Sequence, residues 1–263
     1  MTSDDARRKI LITGATGNVG TLLDDRLRDT YDVVIQGRHP DDERQDRELR
    51  RVDIEDLDEV KSLMDGVDTV VHLAGAASPD SSWDDVLAAN IVGTRNVLEA
   101  AVGAGVRRVV YASSNHVMGM YDRLGEWPVY TSQPVRPDSL YGVSKAFGEV
   151  IGGFYHDEYG IDFIALRIGW VSGDPMLAED EVLHAMWLSE DDTEQVVRCA
   201  IEAQVKHGVY YAVSDNQNRR WDLTNTMLEL GYRPKDSWTD HSDEPEEVIE
   251  GGADVRDDWP KDS

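Results

Sequence analysis

Cysteine is almost absent: Cys199 stands alone in 263 residues, so no internal disulfide can form and nothing marks an oxidising compartment. Lysine is scarce too, at six of the 26 basic side chains. No apolar run reaches the ~20 residues that cross a bilayer, and the polar first residues lack a signal-peptide core, so a cytoplasmic location is expected. Positive charge is outnumbered, with 26 Lys and Arg against 52 Asp and Glu and a formal net charge of −26. Pairs such as Asp41-Asp42, Asp84-Asp85 and Asp191-Asp192 spread that charge along the chain. Such a field repels nucleic acid and anionic membrane, and neither is expected as a partner. The acidity suits either an interaction surface or a hydrated surface adapted to high salt; its even distribution favours the second. The histidines are scattered without ligand spacing, so no metal site is expected.

What is present is a repeating alternation. Residues 1–8 read as a disordered N-terminus. Strands are expected over 9–13, 32–36, 49–53, 68–74, 107–112 and 162–167, and helices over 18–28, 56–64, 83–104 and 140–159. Continuous apolar strands alternating with helices specify an α/β fold, a Rossmann-type doubly wound parallel sheet covered on both faces. Residues 9–169 form the dinucleotide-binding core on this reading. The less regular 170–239, with a helix near 190–204 and a strand at 208–213, should supply a small C-terminal substrate-binding cap and the rest of the same domain. The acidic residues 240–263 read as a loosely attached tail.

Thr13-Gly14-Ala15-Thr16-Gly17-Asn18-Val19-Gly20 sets Gly-x-x-Gly-x-x-Gly between the first strand and the first helix. Gly14 permits the tight turn, Gly17 lets the backbone approach a pyrophosphate, and Gly20 lets helix pack on strand. The helix N-terminus offers N–H groups to the phosphates, making Thr16, Asn18 and Val19 further cofactor candidates. The second strand ends Gln36-Gly37-Arg38, where a carboxylate would favour NAD and an Arg accommodates the 2′-phosphate of NADP. Arg38 leans the expectation towards NADP, although a solvated loop cation is the alternative. Asp53 at the third strand's end is a candidate acceptor from the adenine amino group, with a helix-initiating Asp as its plainer role. Ile54, Leu73, Ala74, Gly75 and Ile168 complete the expected cofactor set.

Tyr141-Gly142-Val143-Ser144-Lys145 puts a phenol and an ammonium one helical turn apart on one face. A phenol titrating near ~10 is a poor base at neutral pH, and a neighbouring ammonium would stabilise its anion. Ser114 ends the fifth strand, where strand C-termini face a ligand crevice. With TGATGNVG (13–20), HLAG (72–75), NIVGTRNVLEAA (90–101), ASSN (112–115) and YGVSK (141–145), the sequence resembles the extended short-chain dehydrogenase/reductase, or NAD-dependent epimerase/dehydratase, superfamily over about 9–235. The stretches ASSNHVMGMY (112–121), RPDSLYGVSKAFGE (136–149), LRIG (166–169), MWLSEDD (186–192) and RPKDS (233–237) look most like uronate dehydrogenases, which oxidise the C1 hydroxyl of hexuronates to lactones.

That resemblance implies Tyr141 as base, Lys145 as its activator and ribose partner, and Ser114 as donor to the sugar oxygen. Asn115 and His116 would orient other hydroxyls, with a structural hydrogen-bonding role as the equal alternative for His116, and Asn90 would support the proton relay. There are departures. Where those enzymes carry an Arg for the substrate carboxylate, this chain has Val182 or a neighbour; Ala178–Met186 holds no Arg or Lys, and His184 is the one possible cation. Enzymes of this shape from salt-loving archaea oxidise glucose 6-phosphate, which makes Arg219, Arg220, Arg123 and Arg136 candidate phosphate contacts, although a solvated turn is the plainer reading of Arg219-Arg220. The expected function is NAD- or NADP-dependent C1 oxidation of a hexose 6-phosphate or a hexuronate. The alternatives are a nucleotide-sugar epimerase or dehydratase and a non-catalytic dinucleotide-binding sensor. The long helices over 83–104 and 140–159 pair into dimer interfaces in the superfamily, so a homodimer is expected.

Overall fold

The apolar runs, too short for helices, become a seven-stranded parallel sheet in the computed structural model, which describes residues 7–38 and 47–242. Its strands are Lys9–Thr13 (β1), Asp32–Gly37 (β2), Leu49–Arg51 (β3), Thr69–His72 (β4), Arg108–Ser114 (β5), Asp162–Ile168 (β6) and His207–Ala212 (β9). A two-stranded ladder of Trp170–Val171 (β7) and Trp187–Leu188 (β8) lies outside it. The order β3-β2-β1-β4-β5-β6-β9 reverses beside β1, and ligands of open α/β sheets bind at such a reversal, outside the strand C-termini. Alternate residues serve opposite layers: Ile10, Ile12, Val71 and Val110 pack on one face, Leu11, Val70, Val109 and Phe163 on the other.

The helices are Asn18–Leu27 (α1), Leu57–Lys61 (α2), Trp83–Asp85 (α3), Thr94–Gly103 (α4), Gly119–Arg123 (α5), Leu140–Tyr159 (α6), Glu181–Ala185 (α7) and Glu190–Glu202 (α8). Ser139 caps α6 by accepting from the Gly142 N–H at 3.1 Å, and Gly160 ends it at φ 75°. The expected 56–64 helix is shorter because Asp56 is its cap, accepting from the Asp58 and Glu59 N–H groups. The expected 83–104 helix is interrupted by a π-helical stretch, Val86–Gly93, which carries Asn90. Such stretches concentrate at functional sites. None of the described helices is long and apolar enough to cross a membrane.

The expected 208–213 strand is β9. It joins the main sheet beside β6, while the crevice is covered by residues from 170–186. Asp192 is no solvated acid. It is fully buried, accepting from Ser214 Oγ at 2.7 Å and from the Lys235 and Asp236 N–H groups. The stretches 186–192 and 233–237 therefore clasp each other, which gives both their distinctive sequence a structural reason. Residues 1–6, the pair Asp41-Asp42 and the tail beyond residue 242 lie outside the described residues.

Candidate active site

The glycine loop is shaped by contact. Gly14 has φ +67°, and a Cβ there would lie 2.7 Å from the Ala74 nitrogen; one on Gly20 would lie 2.3 Å from the Gly14 carbonyl. At Gly17 a Cβ would meet only the Gly14 carbonyl, at 3.4 Å, so its other side opens into the crevice. The first turn of α1 has no capping side-chain bond and no acidic residue, which keeps its N–H groups available to an anion. Gln36 fixes the loop from beneath. Its Oε1 accepts from the Gly14 N–H at 3.0 Å and its Nε2 donates to the Val52 carbonyl. Sequence reasoning missed this residue, whose signal was an amide closing an apolar strand.

From that loop a cavity of about 950 Å³ runs across the strand ends to α6. Gly14, Thr16, Gly17, Asn18, Val19 and Gly20 line it, as do Arg38, Ile54, Leu73, Ala74, Gly75 and Ile168. These surroundings fit a dinucleotide, with the pyrophosphate at the open face of Gly17. Asp53 is not brought in: its carboxylate accepts from the Glu55 N–H at 3.0 Å, and Glu55 itself lines the cavity. Arg38, half exposed, pairs with Glu55 at 3.3 Å.

At the α6 end, Ser114, Asn115, His116, Tyr141 and Lys145 converge on the same cavity. Lys145 Nζ donates to the Ala112 carbonyl at 2.8 Å and lies 5.1 Å from the Tyr111 ring centroid and 5.7 Å from that of Tyr141. Asn90 does not line the cavity. From the π-helical stretch it accepts from the Ala76 N–H and donates to Ser144 Oγ at 2.8 Å, tying the loop after β4 to α6. His116 contacts the Asp138 carboxylate through Nδ1 at 3.0 Å and meets the Tyr141 ring edge-on. Burial, the largest single influence, pushes Asp138 up, but the hydrogen bond and charge of His116, the Ser139 hydroxyl and the Arg123 charge together hold the carboxyl below its ordinary range.

The expected charge balance at Tyr141 is different in the structure. Burial raises the phenol above its ordinary value, and the hydrogen bond with Ser114 opposes that only in part. The same burial lowers Lys145 from 10.5 to about 8. The unfolded chain therefore binds more protons between those values, so this group's effect on stability improves as pH rises from 8 to 10.5. Lys145→Met is expected to abolish turnover yet raise the pH 7 melting midpoint by about 3 °C, a gain that shrinks as the pH rises above 8. A midpoint below that of the parent in calorimetry would contradict this account of Lys145.

The four candidate phosphate-binding arginines lie elsewhere. Arg219 pairs with Asp215 at 2.8 Å, and Arg136 with Glu126 at 2.9 Å. Arg220 bonds Asp122 at 2.7 Å and Glu181 at 3.2 Å and stacks on Trp127, while Arg123 lies 3.8 Å from Asp138. None of the four lines the cavity, because nearby carboxylates already hold them. His184 is stacked on Trp238 at 4.4 Å, away from the cavity lining. Trp170, Leu183 and Met186, which sequence reasoning did not single out as ligand contacts, form its wall together with Val182.

Comparison with known proteins agrees with this geometry. An L-arabinose 1-dehydrogenase (NAD(P)(+)) of Haloferax volcanii is 40% identical over 255 residues, covering 87% of this chain and 97% of its own. An NAD-dependent glucose-6-phosphate dehydrogenase of the same organism is 37% identical, covering 92% and 98%. The solved structure of a uronate dehydrogenase mutant from Agrobacterium tumefaciens, complexed with NAD, superposes with a TM-score of 0.81 at 30% identity over 92% of each chain. The family model for NAD dependent epimerases and dehydratases matches residues 10–188, the span that holds the glycine loop, Ser114, Tyr141 and Lys145. This chain belongs to the NAD dependent epimerase/dehydratase family.

Proposed function

We propose that this protein oxidises the C1 hydroxyl of a pyranose sugar to the lactone. A bound nicotinamide dinucleotide supplies the hydride acceptor. The convergence of Ser114, Tyr141 and Lys145 at the far end of a dinucleotide-sized cleft carries this reading. Ser114 donates to the sugar oxygen, and Tyr141 Oη takes the C1 hydroxyl proton. Because burial disfavours a standing phenolate, Tyr141 passes its own proton in the same event towards Lys145, and one proton leaves to water in the open cleft. Lys145, whose hold on its proton burial has weakened, organises that transfer, and Asn90 positions the α6 turn between them. The name of the Haloferax L-arabinose 1-dehydrogenase supports oxidation of a sugar at position 1, and that of the glucose-6-phosphate dehydrogenase supports dehydrogenation of a sugar. Both dinucleotides serve: Arg38 can face a 2′-phosphate, and Glu55 beside it can take ribose hydroxyls. The test is stoichiometry. One reduced nicotinamide and one lactone should form per sugar consumed; an isomerised sugar with no net cofactor reduction would identify an epimerase instead.

The protein works in the cytoplasm at high salt, as a dimer, on the same proposal. Leu140, Val143, Val150 and Phe154 of α6 are all about half exposed or more, with Leu87 and Val92 of the π-helical stretch also exposed, the apolar faces that a second copy would cover. A net charge of −26 predicts that molar KCl raises the melting midpoint by screening self-repulsion. A highest midpoint at low ionic strength would rule out salt adaptation.

A further inference from the structure

The sugar end of the cleft has few ways to hold a negative charge. The cavity as a whole has an apolar wall of Trp170, Val171, Val182, Leu183 and Met186, with Val171 beside the glycine loop, and the exposed Asp85 and Asp180 also line it. Among the described lining residues, the side chains that can be cationic are Arg38, Lys145 and His116. Arg38 sits at the β2 end, paired with Glu55. Lys145 is committed to the Ala112 carbonyl beside the reacting phenol. His116 is compensated by Asp138, whose carboxyl stays ionised. Of the four other arginines considered for this role, Arg136, Arg219 and Arg220 are bound to carboxylates outside the cavity, and Arg123, outside it too, lies 3.8 Å from the Asp138 carboxylate that already faces His116.

The floor carries a second signal. Asn115 lines the cavity at 3% exposure, and neither its Oδ1 nor its Nδ2 has a hydrogen-bond partner within the protein. A buried amide without partners is rare, and this one asks for one donor and one acceptor together. Sugar hydroxyls supply both. Asn115 therefore marks the floor as a site for hydroxyls, and the discrimination between neutral and anionic sugars falls to the charges around it.

We infer that the substrate is a neutral aldopyranose, selected against hexuronates and hexose phosphates. The inference rests on the C1-dehydrogenase reading and narrows it. An anionic sugar would lose water in a largely apolar cavity, gain no free cation and share that cavity with the carboxylates of Asp85 and Asp180. A neutral sugar carries no charge to desolvate there, and its hydroxyls answer Asn115. The selection is therefore made by exclusion as much as by attraction.

The test is kcat/KM in molar KCl, with NAD and with NADP, for arabinose, xylose, glucose and galactose against glucuronate, galacturonate and glucose 6-phosphate. The best neutral aldose should exceed the best anionic sugar by about a hundredfold, the order set by leaving a buried charge unpaired. An anionic sugar within tenfold of the best aldose, or above it, would overturn neutral selection and leave C1 oxidation standing. No turnover with any of the seven sugars would overturn the C1-dehydrogenase reading itself, and the inference with it.

Discussion

Tyr141→Phe should lower kcat by about a thousandfold while leaving KM and the melting midpoint nearly unchanged, since positioned acid–base groups contribute about 10²–10⁴-fold. The substitution removes one hydroxyl. The ring stays packed edge-on against His116, and the cavity keeps its other lining. The phenol is neutral in the resting protein because burial raises its proton affinity, so no buried charge is gained or lost. What disappears is the acceptor for the C1 hydroxyl proton, an interaction that matters in the transition state and little in the ground state. A kcat within tenfold of the parent, on a folded variant, would remove Tyr141 from the proposed chemistry.

Glu149→Gln should be the most damaging single change to stability away from the cleft. Glu149 lies one turn beyond Lys145 on α6, and its carboxylate takes a bidentate contact from Arg167 of β6 at 2.9 and 2.8 Å. Ser113 Oγ of β5 donates to the same carboxylate at 2.5 Å, next to Ser114. The Arg167 side chain is 2% exposed. Burial alone would lower its pKa, but the bonds it donates to Glu149 and that carboxylate's charge, with a smaller part from Tyr211, hold it above the ordinary value. Removing one partner strands the other charge, at a cost of about 3–5 kcal/mol. In a chain of this size that is a fall of about 10 °C in midpoint. The double variant Glu149→Leu with Arg167→Met should recover most of the loss, because an apolar pair leaves no stranded charge. A single variant melting within 2 °C of the parent, or a double variant no better than the single, would contradict this role.

The elements that sequence revealed are those whose signal is local. The glycine spacing sits in one turn, the Tyr141–Lys145 pair in one helical repeat, and each central strand in one apolar run. Gln36 escaped because its role depends on a loop before it and a carbonyl after it, which meet only in the folded sheet. Arg219 and Arg220 misled for the converse reason. Their sequence neighbours suggested a free basic loop, whereas Asp122 and Glu181, remote in the chain, hold Arg220. Asp192 looked like one more surface acid until Lys235 and Asp236 folded over it. The π-helical stretch has ordinary helical composition, and only the need to aim Asn90 at Ala76 and Ser144 distinguishes it. Charge pairing and burial are properties of the fold, so the apolar wall that narrows the substrate class could not be read from spacing.

Hydride leaves C1 while Tyr141 receives the hydroxyl proton, and an aldose carrying deuterium at C1 reports on both events when the label is followed by mass spectrometry in parent and Tyr141→Phe proteins. The predicted result is deuterium in the reduced nicotinamide, an unlabelled lactone, and loss of both products in the variant. Label retained in an isomerised or dehydrated sugar, with no reduced nicotinamide accumulating, would contradict it.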